Sequence, residues 1–284
     1  MTQYILVLSA ADTLSDDLAN SVLVGQGQVR RLAAEAVEAD IAGDAVEVLG
    51  KVREGLVGEA IDANIVPAAN RRKRLLICDM DSTIIPVECI DEIADFAGVK
   101  DRVSDITERA MRGELDFEEA LRERVGLLTG LSVDALAQTY VERISLNPGA
   151  AEMVAAMKAA GALTALVSGG FTYFTEKVAK DAGFERNQAN TLLIADGKLT
   201  GAPGTPILGR AAKLAALREM TSEIGATPAD AVAVGDGAND LDMIRAAGLG
   251  VAYRAKPAVA AEADARLDHS DLRAVLWLQG MATA

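Results

Sequence analysis

The chain has 284 residues, half of them apolar, so it can bury a substantial core, and at roughly 150 residues per domain its length predicts two domains. Its 28 basic and 42 acidic residues give a net charge of −14 at pH 7, which argues against general nucleic-acid binding. The same charge repels phosphorylated small molecules, so a site for one would need local cations or a metal ion.

Cysteine and histidine are scarce. Cys78 and Cys89 are too few for a disulfide framework, and both lie in apolar stretches, which fits a reducing compartment. The single histidine, His269, lies among charged residues and is predicted to be on the surface. No run is long and apolar enough for a transmembrane helix, and the N-terminus lacks the basic start of a signal peptide. We therefore predict a soluble, cytoplasmic protein.

Residues 1–70 are predicted to form a small α+β N-terminal domain that ends near Ala69–Arg74. Tyr4–Ser9 is a clear strand, and a second strand is indicated only around Ala36–Ile41. The basic run Arg71–Arg74 has two interpretations, an anion site or a solvated segment that enters the next strand, and we favour the second.

Residues 71–284 alternate short apolar runs with helical patterns, which is typical of an α/β fold with a parallel sheet. Residues 86–147 differ, because they are rich in Glu, Arg and Leu and contain no convincing strand. We predict that they form several amphipathic helices inserted after the first core strand. The predicted core strands are Leu75–Cys78, Leu163–Val167, Ala231–Val234 and Leu249–Tyr253.

Two aspartates follow the first core strand. Asp79 and Asp81 are at positions i and i+2 of extended backbone, so their side chains point the same way and can reach one ion or one substrate. Open α/β sheets bind ligands beyond the carboxyl ends of their strands, where this pair lies. Taken alone, the pair is more simply interpreted as two acids that cap a turn.

Polar residues also follow two further predicted strands. The run 168–170, Ser-Gly-Gly, suits an anion at a helix N-terminus and equally an ordinary N-cap turn. Asp236 is at the tip of its strand, and Asp240 follows one helical turn later on the same face. Aspartates at adjacent strand tips would repel one another without a cation, and their hard oxygen ligands favour Mg²⁺. Lys213, in isolation, would be a solvated helix lysine.

Together and in this order, the four pieces resemble the motif series of the haloacid dehalogenase superfamily of phosphatases. The resemblance covers about residues 75–270 and implies a Rossmann-like, doubly wound parallel sheet with an inserted helical cap. The matching pieces are DxDST at residues 79–83, Ser168 after an apolar run, Lys213 in a helix and GDGxND at residues 235–240.

The resemblance assigns the chemistry to the aspartates. Asp79 would be the nucleophile that forms an aspartyl-phosphate. Asp81 would protonate the departing alkoxide and then take a proton from water. The Asp79 carboxylate, the Asp81 backbone carbonyl and Asp236 would hold Mg²⁺.

The resemblance also implies a phosphate site. Ser168, the Gly169 amide and Lys213 would neutralise charge on the phosphoryl oxygens, and Asn239 would lie near them. Asp240 would orient Lys213 or a metal-bound water. These roles follow from the family pattern and not from spacing alone.

Longer matches point to the phosphoserine phosphatases within this superfamily. A phosphoserine head carries an ammonium and a carboxylate, so its pocket requires an acid and a guanidinium. The resemblance implies that Glu88 binds the ammonium and Arg124 the carboxylate, although each is otherwise an ordinary charge on a helix. It therefore implies Mg²⁺-dependent hydrolysis of O-phospho-L-serine to L-serine and phosphate, the last step of serine biosynthesis. The matching segments are residues 79–98, 116–130, 167–171, 189–201 and 235–257.

Two other functions are open at this stage. A related phosphatase or phosphotransferase would use another phosphomonoester or a non-water acceptor, and such a site has no need of the Glu88 and Arg124 pair. A non-catalytic regulator that keeps the fold would be expected to lack one of four residues, and all four are present: Asp79, Asp81, Lys213 and Asp236.

The N-terminal segment departs from the longer members of the family. Bacterial phosphoserine phosphatases often carry modules resembling ACT domains, with a βαββαβ pattern. Residues 1–70 are predicted to be a shortened or degenerate version of one. Its role is open between sensing an amino acid and supporting a homodimer, and we favour a structural role.

Overall fold

The computed structural model of the chain describes residues 3–283. The first part of the chain folds into a four-stranded antiparallel sheet with two helices. The strand order is β2-β3-β1-β4, and one face of the sheet buries apolar side chains against both helices. We call this unit the N-terminal sheet. Its elements are β1 (Tyr4–Ala10), α1 (Asp16–Val22), β2 (Val29–Ala33), β3 (Ala36–Asp40), α2 (Ala45–Gly55) and β4 (Ile61–Pro67).

The N-terminal sheet has more strands than the sequence predicts. One clear strand and one weaker strand are expected, whereas the structure has a complete βαββαβ order, so the prediction of a shortened pattern is wrong. The unpredicted strands are β2 and β4, and a reason is visible in β2, where Arg30 bonds to Glu38 and Asp40 on the neighbouring β3. These cross-strand ion pairs replace the apolar alternation by which a strand is normally identified.

The rest of the chain is built around a six-stranded parallel sheet in the order β12-β11-β10-β5-β6-β7. Its elements are β5 (Leu75–Cys78), α3 (Cys89–Phe96), α4 (Lys100–Met111), α5 (Phe117–Gly126), α6 (Asp134–Arg143), α7 (Ala150–Ala159), β6 (Leu163–Phe171), α8 (Thr172–Ala182), β7 (Arg186–Asn190), β8 (Leu192–Ala195), β9 (Lys198–Pro203), α9 (Arg210–Glu223), β10 (Ala231–Gly235), α10 (Leu241–Ala246), β11 (Leu249–Tyr253), α11 (Pro257–Ala260), β12 (Ala265–Leu267) and α12 (Ala274–Leu278).

Helices cover both faces of this parallel sheet. Leu75 and Ile77 of β5 pack in one cluster with α9 and α10, whereas Leu76 and Cys78 pack in another with α7 and α8. All four of these residues are fully buried. A strand buried on both sides is a continuous apolar run, as the sequence of β5 is. The predicted doubly wound α/β fold is therefore confirmed.

The four predicted core strands are present, with one change that matters for the site. β5 and β11 have the predicted bounds, and β10 ends one residue later than predicted. β6 continues through residues 168–170 to Phe171, which pairs with Asn190, and its register shifts after Val167. The predicted Ser-Gly-Gly turn is thus the irregular end of a strand, and α8 begins only after it.

Between β5 and β6, the helices α3–α6 form a helical insert that covers the carboxyl ends of the strands. Phe117 of this insert lies against Gly169 and Gly209, and Met111 lies against Gly237. The β8–β9 hairpin bonds through its backbone to the insert at residues 130–133. The insert therefore contacts three loops at the same end of the parallel sheet.

The basic run that follows β4 is solvated only at Arg72 and Arg74, which are exposed, so our prediction of a solvated segment is wrong for the other two residues. Lys73 is buried and donates to the Ala229 carbonyl at 2.9 Å, and Arg71 pairs with Glu38 at 2.8 Å. Buried cations need fixed acceptors, and both acceptors lie far away in the chain. This run joins the N-terminal sheet to the parallel sheet.

The cysteines and the histidine lie where the sequence predicts. Cys78 and Cys89 are buried and unpaired, and His269 is exposed. Among the helices of residues 3–283, none has the length and apolar character to cross a membrane.

The last strand of the N-terminal sheet is bound to the edge of the parallel sheet by two polar side chains. Asn64 of β4 makes two hydrogen bonds of 2.8 Å with the backbone of Arg266 in β12. Asp62 accepts the backbone N–H groups of Asp268 at 2.9 Å and Ser270 at 2.8 Å. Positions i and i+2 share a face of a strand, so both side chains reach the same neighbour.

We expect Asp62→Ala to lower the free energy of unfolding by about 1–3 kcal/mol, because it leaves buried N–H groups without an acceptor. Urea denaturation of the full chain would measure the loss. Glu59→Ala, which removes an exposed carboxylate nearby, is the matched control and should change little. Equal stability of the two variants would contradict the docking role of Asp62.

Candidate active site

The site lies where the order of the parallel strands reverses around β5. The next strand in the chain, β6, lies on one side of β5, and β10 lies on the other. The loops after these three strands converge at their carboxyl ends, which is where open α/β sheets bind ligands. Asp79 and Asp236 follow β5 and β10 directly, and Ser168 lies in the irregular end of β6.

Lys213 of α9 is a buried cation that joins two aspartates. Its Nζ lies 2.8 Å from Asp79 Oδ1 and 2.6 Å from Asp240 Oδ1, and the lysine side chain is only 1% exposed. Burial opposes its charged form, but the negative charges of Asp240 and Asp79 outweigh burial and raise the pKa of Lys213. The residue that would in isolation be a solvated helix lysine is at the centre of the site.

Asp79 has one fixed and one available carboxylate oxygen. Its Oδ1 accepts from Lys213 and from the Met80 N–H at 2.7 Å, whereas Oδ2 receives no hydrogen bond from the described part of the chain. Burial and the charge of Asp240 raise the pKa of Asp79 to about 7, although Lys213 opposes them. A buried carboxylate held at one oxygen can act as a nucleophile through the other.

Asp81 lies beside Asp79 and is held at both oxygens. The Cys89 N–H donates to Oδ1 at 2.9 Å, and the Ser168 hydroxyl donates to Oδ2 at 3.3 Å. Burial raises the pKa of Asp81 to about 6. The hydrogen bond from Cys89 opposes this rise, and the negative charge of Asp79 adds to it. A carboxyl group with a pKa near neutrality can both give and take a proton.

Three buried carboxylates form a cluster that fits a divalent cation. Oxygens of Asp79, Asp236 and Asp240 lie within 4.8 Å of one another. Burial, followed by the charges of Glu88, Asp240 and Asp79, raises the pKa of Asp236 well above its ordinary value. Carboxylate oxygens that repel one another in a buried site are suited to a hard cation.

Within this cluster, Asp240 is already fully engaged. Its Oδ1 binds Lys213, and its Oδ2 accepts the N–H groups of Asp236 at 3.2 Å and Gly237 at 3.1 Å. Asp236 uses one oxygen to accept the Thr83 hydroxyl at 3.1 Å. Asp79 and Asp236 are therefore better placed than Asp240 to bind an ion directly.

The two glycines after Ser168 are required by close packing. A Cβ on Gly170 would lie 2.5 Å from Asp81 Oδ2, and one on Gly169 would lie 2.7 Å from the Phe117 ring. Asn239 is buried nearby, and its Oδ1 has no hydrogen-bond partner among residues 3–283. A buried polar atom without a partner is costly, so this atom is available for a ligand.

The cavity between the insert and the strand ends contains one guanidinium. Arg124 of α5 is 2% exposed and donates to Thr107 Oγ1 at 3.0 Å and to the Ala120 carbonyl at 3.2 Å. Burial lowers its pKa, and the negative charge of Glu88 opposes this shift. In the described chain no carboxylate lies within 4 Å of Arg124, so a buried cation has no anionic partner.

Glu88 lines the same cavity at the start of α3. The Ser82 hydroxyl donates to its Oε1 at 2.6 Å. Burial, with the charge of Asp81, raises the pKa of Glu88 to about 8. An acid and a guanidinium on one cavity can bind a small molecule that carries both an ammonium and a carboxylate.

The structure brings all ten predicted site residues to one end of the sheet. Six line the cavity, and the other four lie behind it or beside it. Those on the cavity are Asp79, Asp81, Glu88, Arg124, Gly169 and Asn239; the others are Ser168, Lys213, Asp236 and Asp240.

Several residues of the site give no signal in the sequence. Met111 and Phe117 line the cavity, but apolar residues in helices are ordinarily predicted to be core. Asn147 donates to the Thr83 carbonyl at 2.8 Å and so holds the loop that carries Asp81. Asn147 and Thr83 are 64 residues apart, so no local sequence pattern indicates this contact.

We expect metal-free Asp236→Asn to be more stable than the metal-free wild type, by a margin that grows with pH. The pKa of the Asp236 carboxyl is higher in the folded chain than in the unfolded chain, so protonation of this group stabilises the fold. This contribution is complete below the ordinary carboxyl pKa and is lost as pH rises toward the raised value. Asparagine does not ionise, so the variant does not lose this stability. Its advantage in the free energy of unfolding over the wild type should therefore grow by about 1–3 kcal/mol between about pH 5.5 and about pH 8.

Urea denaturation with a chelator at both pH values would measure this difference. Asp101→Asn, on an exposed carboxylate, is the control and should show no pH-dependent gain. A constant or shrinking margin for Asp236→Asn would count against the electrostatic cost assigned to this aspartate.

The comparisons with known proteins agree with this geometry. The family model of the haloacid dehalogenase-like hydrolases matches residues 76–245. A phosphoserine phosphatase of Albidiferax ferrireducens is 49% identical over 210 residues, which cover 72% of this chain and 89% of that protein.

Two solved structures are similar to this chain in both fold and sequence. A probable phosphoserine phosphatase from Vibrio cholerae is 34% identical, with a TM-score of 0.81 over 99% of this chain and 87% of its own. A phospho-aspartyl intermediate analogue of a phosphoserine phosphatase is 41% identical, with a TM-score of 0.70 over 72% of this chain and 98% of its own. This chain therefore belongs to the haloacid dehalogenase-like hydrolases, and among them to the phosphoserine phosphatase family.

Proposed function

We propose that this chain hydrolyses O-phospho-L-serine to L-serine and phosphate through an aspartyl-phosphate on Asp79. The observation behind this proposal is that one cavity is lined by the carboxyls of Asp79 and Asp81 and also by Glu88 and Arg124, whose guanidinium has no carboxylate partner among residues 3–283. The first pair suits phosphoryl transfer, and the second suits an amino-acid head group.

In the first step, an oxygen of Asp79 attacks phosphorus, and the bond between phosphorus and the serine oxygen breaks. The departing alkoxide is strongly basic, so the proton of Asp81 passes to it and L-serine is formed. A pKa of about 6 for Asp81 allows a protonated fraction near neutral pH. The family relative described as a phospho-aspartyl intermediate analogue supports this route.

In the second step, water attacks the phosphorus of the aspartyl-phosphate. Asp81, now a carboxylate, takes a proton from that water, the bond from phosphorus to Asp79 breaks, and phosphate leaves. The insert covers the cavity through Phe117 and Met111, which limits access of bulk water while serine is still bound.

The residues around Asp79 are suited to hold the phosphoryl group. Lys213 supplies a buried positive charge, and the Gly169 N–H and Asn239 Nδ2 supply hydrogen-bond donors. The Ser168 hydroxyl, which donates to Asp81 Oδ2 in this structure, would turn to the phosphoryl group when substrate binds. Such local donors are necessary because the chain as a whole carries a net charge of −14.

We propose Mg²⁺ as the ion for the aspartate cluster. The carboxylates of Asp79 and Asp236 would hold it, together with the Asp81 backbone carbonyl. When bound, it supplies positive charge that offsets the negative charge of the phosphoryl oxygens.

The first test is phosphate release from O-phospho-L-serine and from p-nitrophenyl phosphate, with Mg²⁺ or with a chelator. We expect the wild type to prefer phosphoserine and to lose activity with the chelator. Asp79→Asn, which keeps the shape but removes the nucleophile, should abolish turnover of both substrates while the chain stays folded. Turnover of p-nitrophenyl phosphate without a preference for phosphoserine would refute the substrate assignment and keep the phosphatase chemistry.

The second test concerns the carboxylate of the substrate. Arg124→Lys keeps the charge but loses the two-point fork, so KM for phosphoserine should rise about 10- to 100-fold, whereas p-nitrophenyl phosphate should be affected little. Arg122→Lys, two residues away and exposed, is the matched control. An equal loss on both substrates would assign Arg124 to the phosphoryl group or to folding.

A further inference from the structure

The turn between the two catalytic-loop aspartates and the insert has an unusual backbone at Ser82. Its φ is 54° and its ψ is 2°, which is the left-handed region that side chains disfavour. The turn closes by a hydrogen bond of 3.0 Å from the Ile85 N–H to the Met80 carbonyl. A non-glycine residue held in this conformation is often part of a functional site.

This conformation brings Ser82 onto the segment that carries Glu88. The Ser82 hydroxyl donates to Glu88 Oε1 at 2.6 Å, and the Ser82 N–H donates to the Val87 carbonyl at 3.3 Å. The adjacent residues are joined as well, since the Cys89 N–H donates to Asp81 Oδ1 at 2.9 Å. Three hydrogen bonds thus connect the loop after β5 to the first residues of the insert.

Ser82 contacts Glu88 from outside the substrate cavity. In the described chain, the residues that line the cavity with Asp79 and Arg124 include Glu88 but not Ser82. Ser82 instead borders a neighbouring cleft on the other side of Glu88, together with Asp91. It therefore acts on a substrate only through the glutamate.

We infer that Ser82 is a positioning residue that fixes Glu88 for the ammonium group of the substrate. By holding Oε1, its hydroxyl leaves Oε2 for the ammonium and prevents the flexible carboxylate from turning toward Asp81. A recognition group held in place by a neighbouring hydrogen bond loses less rotational freedom when the ligand binds. Ser82 would thereby determine part of the preference for amino-acid phosphomonoesters, an inference that rests on the proposed function.

The test compares O-phospho-L-serine with 3-phosphonooxypropanoate, the same molecule without its amino group. We expect Ser82→Ala and Ser82→Gly to raise KM for phosphoserine about tenfold, with kcat nearly unchanged. Neither variant should change the kinetics of the des-amino substrate. Glycine adopts the left-handed backbone without strain, so the pair of variants separates loss of the hydroxyl from distortion of the turn.

A second arm tests whether Ser82 acts through Glu88. In a Glu88→Ala background there is no carboxylate to position, so adding Ser82→Ala should produce no further rise in KM for phosphoserine. Additive effects of the two substitutions would overturn the inference. An unchanged KM in both single Ser82 variants, an equal loss on both substrates, or wild-type kinetics in Ser82→Gly alone would overturn it as well.

These outcomes differ from a failure of the proposed function. If the wild type itself does not distinguish phosphoserine from its des-amino analogue, the substrate assignment is wrong and the role of Ser82 falls with it. If the wild type prefers phosphoserine and the Ser82 variants keep the full preference, only the role of Ser82 is wrong.

Discussion

The buried ammonium of Lys213 is the interaction on which the site depends. It lies between Asp79 and Asp240 in a chain with a large excess of negative charge, and it offsets the repulsion that these carboxylates would otherwise exert on each other. Burial makes this attraction strong, and it also makes an unpaired charge costly. Burial, together with the remaining repulsion between carboxylates, raises the pKa of Asp236 and favours a divalent cation at this position.

Under the proposed function, the chemistry and the recognition of the substrate come from different parts of the chain. Asp79 follows β5 of the parallel sheet and Lys213 lies in α9 beside that sheet, whereas the helical insert supplies Arg124 and the apolar contacts of Phe117. Glu88 lies at the junction, where the loop after β5 enters the insert. Under the proposed function, the position of the insert would therefore affect which phosphomonoester is held, and the sheet would determine where its phosphoryl group lies.

The N-terminal sheet is bound tightly to this catalytic part. Asp62 and Asn64 bond to backbone groups of the last strand region, and Arg71 pairs with Glu38 across the junction. All of these are specific polar contacts with good geometry, and those made to backbone groups satisfy N–H and C=O groups that burial would otherwise leave unpaired. The strong docking fits a structural role for this sheet.

The sequence by itself determined four of the six strands of the parallel sheet, the order of the motifs and hence the family and its chemistry, because these depend on local periodicity and on residue types at short spacing. It missed β2 and β4 of the N-terminal sheet, and in β2 Arg30 bonds to its neighbours on β3 in place of apolar alternation. Only the tertiary structure decided that Lys213 is buried, that Lys73 donates a hydrogen bond to a distant backbone carbonyl and that Ser82 donates one to Glu88. Burial and hydrogen bonding depend on which distant segments meet, and no local pattern records that.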